Sequence, residues 1–150
     1  MSARIEDLEP VTRGLCVQLL AEAVARNLPI RVTHTRRTND EQLHLYRQGR
    51  EFRGGIWVVV DKTKVVTNAK PGSSPHNYGL AFDVCFNGPD PYLDAYRKDH
   101  PGKLDPRWHE LGALGESLGL SWGGPLGPND DLDWDAPHFQ RVKWKQFKGG

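Results

Sequence analysis

Apolar positions along this chain recur with two different periods, and the switches between them mark out its elements. After Leu8-Glu9-Pro10, where proline suits a first helical turn, Val11, Leu15, Leu19, Leu20 and Val24 return at helical spacing until Asn27 and Pro29 close the run. The spacing predicts a scaffold helix with those side chains turned inward. Ile30-Arg31-Val32-Thr33-His34 then alternates as a half-buried strand does. Thr35 to Gln42 offers a cap and first-turn acids for a second helix, which Leu43, Leu45 and Tyr46 carry to Gly49. Gly54-Gly55 separates that helix from Ile56-Trp57-Val58-Val59-Val60, and Asp61 to Lys64 is expected to turn this run back onto Val65-Val66-Thr67 as a hairpin.

Leu80-Ala81-Phe82-Asp83-Val84-Cys85-Phe86 reads as a buried strand interrupted by one carboxylate. Alternation sends Leu80, Phe82, Val84 and Phe86 to a core face, and Ala81, Asp83 and Cys85 to a smaller, more polar one. Asn87 to Pro91 is turn chemistry, and the residues up to Gly102 read as a surface excursion. Asp105-Pro106 caps a helix whose Trp108, Leu111, Leu114 and Leu118 form one face, ended by Gly119. A brief strand at Leu120-Ser121-Trp122, a loop from Gly123 to Pro128 and a last strand from His138 to Val142 follow. Helices alternating with short strands, without a regular crossover repeat, predict an α+β fold: a small antiparallel sheet with helices packed around it.

A length of 150 residues suits a single domain, residues 1–150, with no second one expected. A net charge of +1 with acids and bases interspersed removes the electrostatic footprint of a nucleic-acid binder. No apolar run approaches the roughly 20 residues of a membrane span, and Met1 to Asp7 lacks the order of a signal peptide. The expectation is a soluble monomer made in the cytoplasm. Cys16 and Cys85 are too few for a disulfide framework and are read as small, buried, free thiols.

Asp83 changes this picture, because a carboxylate among such neighbours is costly to bury without a strong partner. A metal ion is the economical one. His76 lies just upstream across Gly79, and Asp133-Trp134-Asp135-Ala136-Pro137-His138-Phe139-Gln140 offers a third ligand. Two imidazoles and a carboxylate are a frequent catalytic zinc set that leaves a position open for water. His34, His44, His100 and His109 are read as structural or surface residues.

Ser74-x-His76-x-x-Gly79-x-Ala81-x-Asp83 and Asp135-x-x-His138 together resemble the zinc D-Ala-D-Ala carboxypeptidase and L-alanyl-D-glutamate endopeptidase family, which includes several phage endolysins. The likeness extends to Arg37-Thr38-x-x-Glu41-Gln42, Leu45-Tyr46-x-Gln48-Gly49-Arg50, Val66-Thr67-Asn68-Ala69 and Gly119-Leu120-x-Trp122-Gly123-Gly124, and so covers roughly residues 30 to 140. The resemblance implies one Zn2+ per chain, held by His76, Asp83 and His138, with Asp135 as the catalytic carboxylate. Spacing alone does not choose Asp135 over Asp133. It further implies an Arg37 facing the active site, ready for a substrate carboxylate or an oxyanion, and a small Hedgehog-like α+β fold. Ser74 and Trp122 are candidate substrate contacts.

The implied activity is cleavage of the L-Ala-D-Glu bond of peptidoglycan stem peptides by metal-activated water, as in a phage-type lysin released onto the wall from within. A D-Ala-D-Ala carboxypeptidase and a non-catalytic zinc-bearing module for wall peptides are the alternatives. One departure stands out: the stretch from Glu51 to Lys64 is longer than the family's usual link at that place, which bears on the substrate-facing rim.

Overall fold

A computed structural model describes residues 1–124 and 135–148. Four strands form one antiparallel sheet in the order β1 (Ile30–His34), β4 (Ala81–Phe86), β6 (His138–Arg141), β5 (Leu120–Trp122). Helices α1 (Pro10–Ala25) and α4 (Pro106–Ser117) pack against each other and against the sheet, α1 on β1 and α4 on β5. Phe82 of β4 stacks on Phe139 of β6, and Phe86 meets Trp108 of α4 edge-on, so the core lies between the sheet and these two helices. The expected α+β architecture is thus present. No helix among the described residues is long and apolar enough to cross a membrane.

The first helix forms where periodicity placed it but presents a different stripe. Thr12, Cys16, Leu19 and Ala23 are buried, Leu15 and Leu20 pack at the edge, and Val11 and Val24 face solvent. Glu9 explains the turn of the helix: its carboxylate accepts from the backbone N–H of Val11 and Thr12 and from the Thr12 hydroxyl. The Thr12 hydroxyl therefore goes inward already satisfied, while the small Cys16 and Ala23 allow close packing.

The second helix, α2 (Asn39–Tyr46), begins at a reciprocal cap in which Thr38 accepts from the Glu41 N–H and Glu41 from that of Thr38. The hairpin differs from expectation. Ile56–Val59 (β3) pairs backwards with Arg50–Arg53 (β2), not forwards with Val65 to Thr67. Gly54 and Gly55 both take positive φ, 58° and 85°, and so form the two-residue turn whose twist suits paired strands. A short helix, α3 (Asp94–Asp99), interrupts the predicted surface excursion and follows the buried Leu93.

β4 is the central strand and is covered on both sides, so Ala81 and Cys85 are as buried as Phe82 and Val84. Only Asp83 along it retains appreciable exposure.

Candidate active site

Strand register assembles the site. Asp83 sits opposite His34 on β1 and opposite His138 on β6, which aligns two imidazoles and a carboxylate across three neighbouring strands. A bulge between Val32 and His34 shifts the β1 register just there. His76 arrives from the single helical turn Pro75–Tyr78 immediately before β4. Ser74 caps that turn, its hydroxyl accepting from the His76 N–H at 3.3 Å.

The ligand atoms of His76, Asp83 and His138 all lie within 4.8 Å of one another. Asp83 Oδ1 is 3.4 Å from His76 Nε2 and 3.1 Å from His138 Nδ1, and Oδ2 is 3.4 Å from His34 Nδ1. The far nitrogen of each of the two ligand-type rings is already committed. His76 Nδ1–H donates to the Thr35 carbonyl at 2.7 Å, and His138 Nε2–H donates to Gln140 Oε1 at 2.8 Å.

With the outer N–H spent, a neutral ring turns a bare lone pair toward the carboxylate, an arrangement that is repulsive unless a proton or a cation lies between. The donor set, its close spacing and its outer hydrogen bonds therefore fit a tetrahedral zinc site with an open position. Burial pushes the Asp83 carboxyl up, but hydrogen bonds from His138, His34 and His76 outweigh it and hold the group well below the ordinary carboxylate range. Burial lowers His138, yet Asp83, Gln140 and Asp135 together raise it above the usual histidine value.

These groups open into a cavity of about 260 Å³ shared with Arg37, Ser74 and Asp135 and walled by Leu45, Val66 and Thr67. Asp135 is placed by a tight turn: its N–H donates to the Gly123 carbonyl, and its own carbonyl accepts from the His138 N–H. A Cβ on Gly123 would come within 2.5 Å of the Asp135 carbonyl oxygen, so only glycine permits this approach. The residue is exposed and lines the cavity. Loss of water raises its pKa, the charge of Asp83 adds to the rise, and His138, His76 and Arg37 oppose it.

Arg37 Nη1 donates to Gln42 Oε1 at 2.8 Å, while its buried Nε finds no acceptor among the described residues. Burial lowers its pKa, against the opposing charges of Asp83, Glu41 and Asp135. A half-buried guanidinium beside a cavity, partly unsatisfied among the described residues, suits an anionic or carbonyl oxygen from outside.

Six of the seven expected site residues, His76, Asp83, His138, Asp135, Arg37 and Ser74, therefore meet around one cavity. Trp122 does not. It is buried, packs over Gly112, and its indole N–H donates to the Ala136 carbonyl, so it braces the turn after Asp135 from behind. Asp133 and Trp134 lie outside the described residues. Sequence reading missed His34, Gln42 and Gln140. Gln140, two positions after His138 in a predicted strand, was the one with a legible cue, since alternation puts both on one face.

A family model described as D-alanyl-D-alanine carboxypeptidase matches residues 67–141. The peptidoglycan L-alanyl-D-glutamate endopeptidase CwlK of Bacillus subtilis is 32% identical over 143 residues, a match spanning 91% of this chain and 74% of that protein. The chain belongs to this peptidase family. Among solved members of the fold, the Serratia marcescens L-Ala D-Glu endopeptidase ChiX is 14% identical with a TM-score of 0.55, over 95% of this chain and 86% of its own. A mutant of the vancomycin-resistance D,D-pentapeptidase VanY, solved in complex with Zn(II), is 16% identical with a TM-score of 0.59, over 92% of this chain and 74% of its own. The cavity residues from Thr67 through His138 fall inside the family match; Arg37, Leu45 and Val66 precede it.

Proposed function

We propose that this chain is a zinc-dependent peptidase of peptidoglycan stem peptides, which cuts between L-Ala and D-Glu with one zinc on His76, Asp83 and His138. The observation that carries the reading is the commitment of both outer ring N–H groups, to the Thr35 carbonyl and to Gln140, which leaves the inner nitrogens for a cation beside Asp83. Zinc bound there supplies Lewis acidity, which makes water nucleophilic near neutral pH and polarises a carbonyl.

The protein's own groups do the rest. Asp135, a carboxylate of raised pKa at the cavity mouth, takes the proton of the attacking water and returns it to the leaving amine. Arg37, whose Nε has no acceptor among the described residues, holds the oxygen on which charge develops. Ser74 keeps the His76 turn closed, and Gln140 keeps the His138 ring in one orientation.

The 32% identity to an L-alanyl-D-glutamate endopeptidase supports the choice of bond. Arg37 supports a second reading, since the same unpaired donor would seat a terminal carboxylate in a D-Ala-D-Ala carboxypeptidase. A zinc-bearing binder would have no use for Asp135. Mass spectrometry of a digested, zinc-loaded reaction separates the three. A new D-Glu amino terminus is the expected product, released D-Ala selects the carboxypeptidase, and no new terminus leaves a binding module.

A further inference from the structure

Asp83 has two carboxylate oxygens, and the fold divides them between different partners. Both imidazoles of the candidate metal set approach Oδ1, His138 at 3.1 Å and His76 at 3.4 Å, whereas Oδ2 lies 3.4 Å from Nδ1 of a third imidazole, His34. The reaction proposed above gives that third ring nothing to do. Its side chain is 41% exposed, against 4% for His76 and 15% for His138, so it stands at the edge of the cluster.

A backbone irregularity puts it there. Val32 pairs with Val84 across β1 and β4, so an unbroken antiparallel ladder would set Thr33 opposite Asp83; the bulge after Val32 sets His34 there instead. Asp83 is thus flanked by a histidine on each neighbouring strand, His34 on β1 and His138 on β6. The other neighbour of His34 Nδ1 is the Thr33 hydroxyl oxygen at 3.1 Å. A neutral ring with its proton on Nδ1 faces both oxygens, and the charged carboxylate is the stronger acceptor of the two.

We infer that His34 is a positioning residue for the metal, which holds Oδ2 of Asp83 and so leaves Oδ1 alone to meet the ion; the inference rests on the zinc reading above. A carboxylate binds a metal through one oxygen or through both, and the second mode adds a ligand to a site whose remaining position the reaction needs for water. An N–H on Oδ2 selects the first mode. His34 is not a further ligand in this geometry, because the donor atoms that lie within 4.8 Å of one another belong to His76, Asp83 and His138.

The test crosses two substitutions at one position. His34→Phe keeps a ring and removes the donor, while His34→Asn removes the ring and keeps an N–H close to the place of Nδ1. A half-exposed strand position accommodates both. Zinc affinity is read by competition against a chromophoric chelator, and coordination by the visible spectrum of the cobalt(II)-substituted proteins, whose bands weaken when a fifth ligand joins a tetrahedral set.

His34→Phe should bind zinc about 10- to 100-fold more weakly and give the weaker cobalt bands, whereas His34→Asn should match wild type in both. A His34→Phe protein indistinguishable from wild type overturns the positioning role. So does a His34→Asn protein impaired as much as His34→Phe, since the ring and not its donor would then be what matters. His34→Ala takes the place of His34→Phe, with the same two outcomes, should the larger ring disturb the fold. Wild type that takes up neither metal refutes the zinc reading itself, and wild type that holds zinc but cuts no stem peptide refutes the peptidase reading while the role of His34 stands.

Discussion

His138 and Asp83 face each other across paired strands with Nδ1 3.1 Å from Oδ1, and the opposite nitrogen of the same ring is fixed by Gln140 two residues further along β6. The carboxylate and the imidazole are therefore positioned by sheet register, and the ring orientation by a neighbour on the same strand face. Backbone pairing thus brings the candidate ligands Asp83 and His138 together.

Gln140→Leu removes the acceptor and should weaken zinc binding by about 10- to 100-fold, the range for outer-shell partners of a ligand imidazole. Gln140→Glu, which still accepts the hydrogen bond, should bind within a few-fold of wild type. Competition against a chromophoric chelator reads both values, and an unchanged affinity in Gln140→Leu contradicts the role.

Arg37→Ala should keep zinc and the fold but lose about two orders of magnitude in catalytic efficiency, the cost of one oxyanion donor. Arg36, exposed and outside the cavity, gives the control: Arg36→Ala should stay near wild type. Equal effects in the two variants remove Arg37 from the site.

Much of this site was legible in the chain before any coordinates, and the rest was hidden for identifiable reasons. Asp83 announced itself because a carboxylate in a buried strand needs a partner, and the family resemblance placed Asp135 beside His138. His34 was passed over because its nearness to Asp83 depends on which strands pair and on a one-residue bulge. Gln42 is buried between the Arg37 side chain and the Ala69 carbonyl, partners that no local pattern connects to it. The hairpin was misread because β-branched residues on both sides of Asp61 to Lys64 outweighed the Gly54-Gly55 turn, although that turn is what sets the register.

Protonation and zinc compete for the same ring, which gives opposite pH responses. A raised folded pKa at His138 stabilises the metal-free chain fully below the unfolded value of about 6.5, and that stabilisation is lost as pH rises through the folded value. Zinc needs the ring deprotonated, so its contribution grows over the same window. The melting temperature of stripped protein should fall as pH rises above about 6.5 while its distance from the loaded protein widens. A gap independent of pH contradicts His138 as a ligand.

Asp135→Asn keeps shape and removes basicity. It should retain zinc and melting temperature and lose on the order of a hundredfold or more in turnover. Asp133→Asn should be nearly silent. Reversal of the two results moves the proton-handling role to Asp133.

The central claim is that peptide cleavage depends on a metal held by His76, Asp83 and His138. Its most direct measurement is stem-peptide turnover by chelator-stripped protein as zinc is added back, alongside the bound metal. Turnover should be absent at the start, rise with occupancy and level off at one zinc per chain, and His76→Ala and His138→Ala should neither hold the ion nor recover. Full turnover in the metal-free protein would contradict the account.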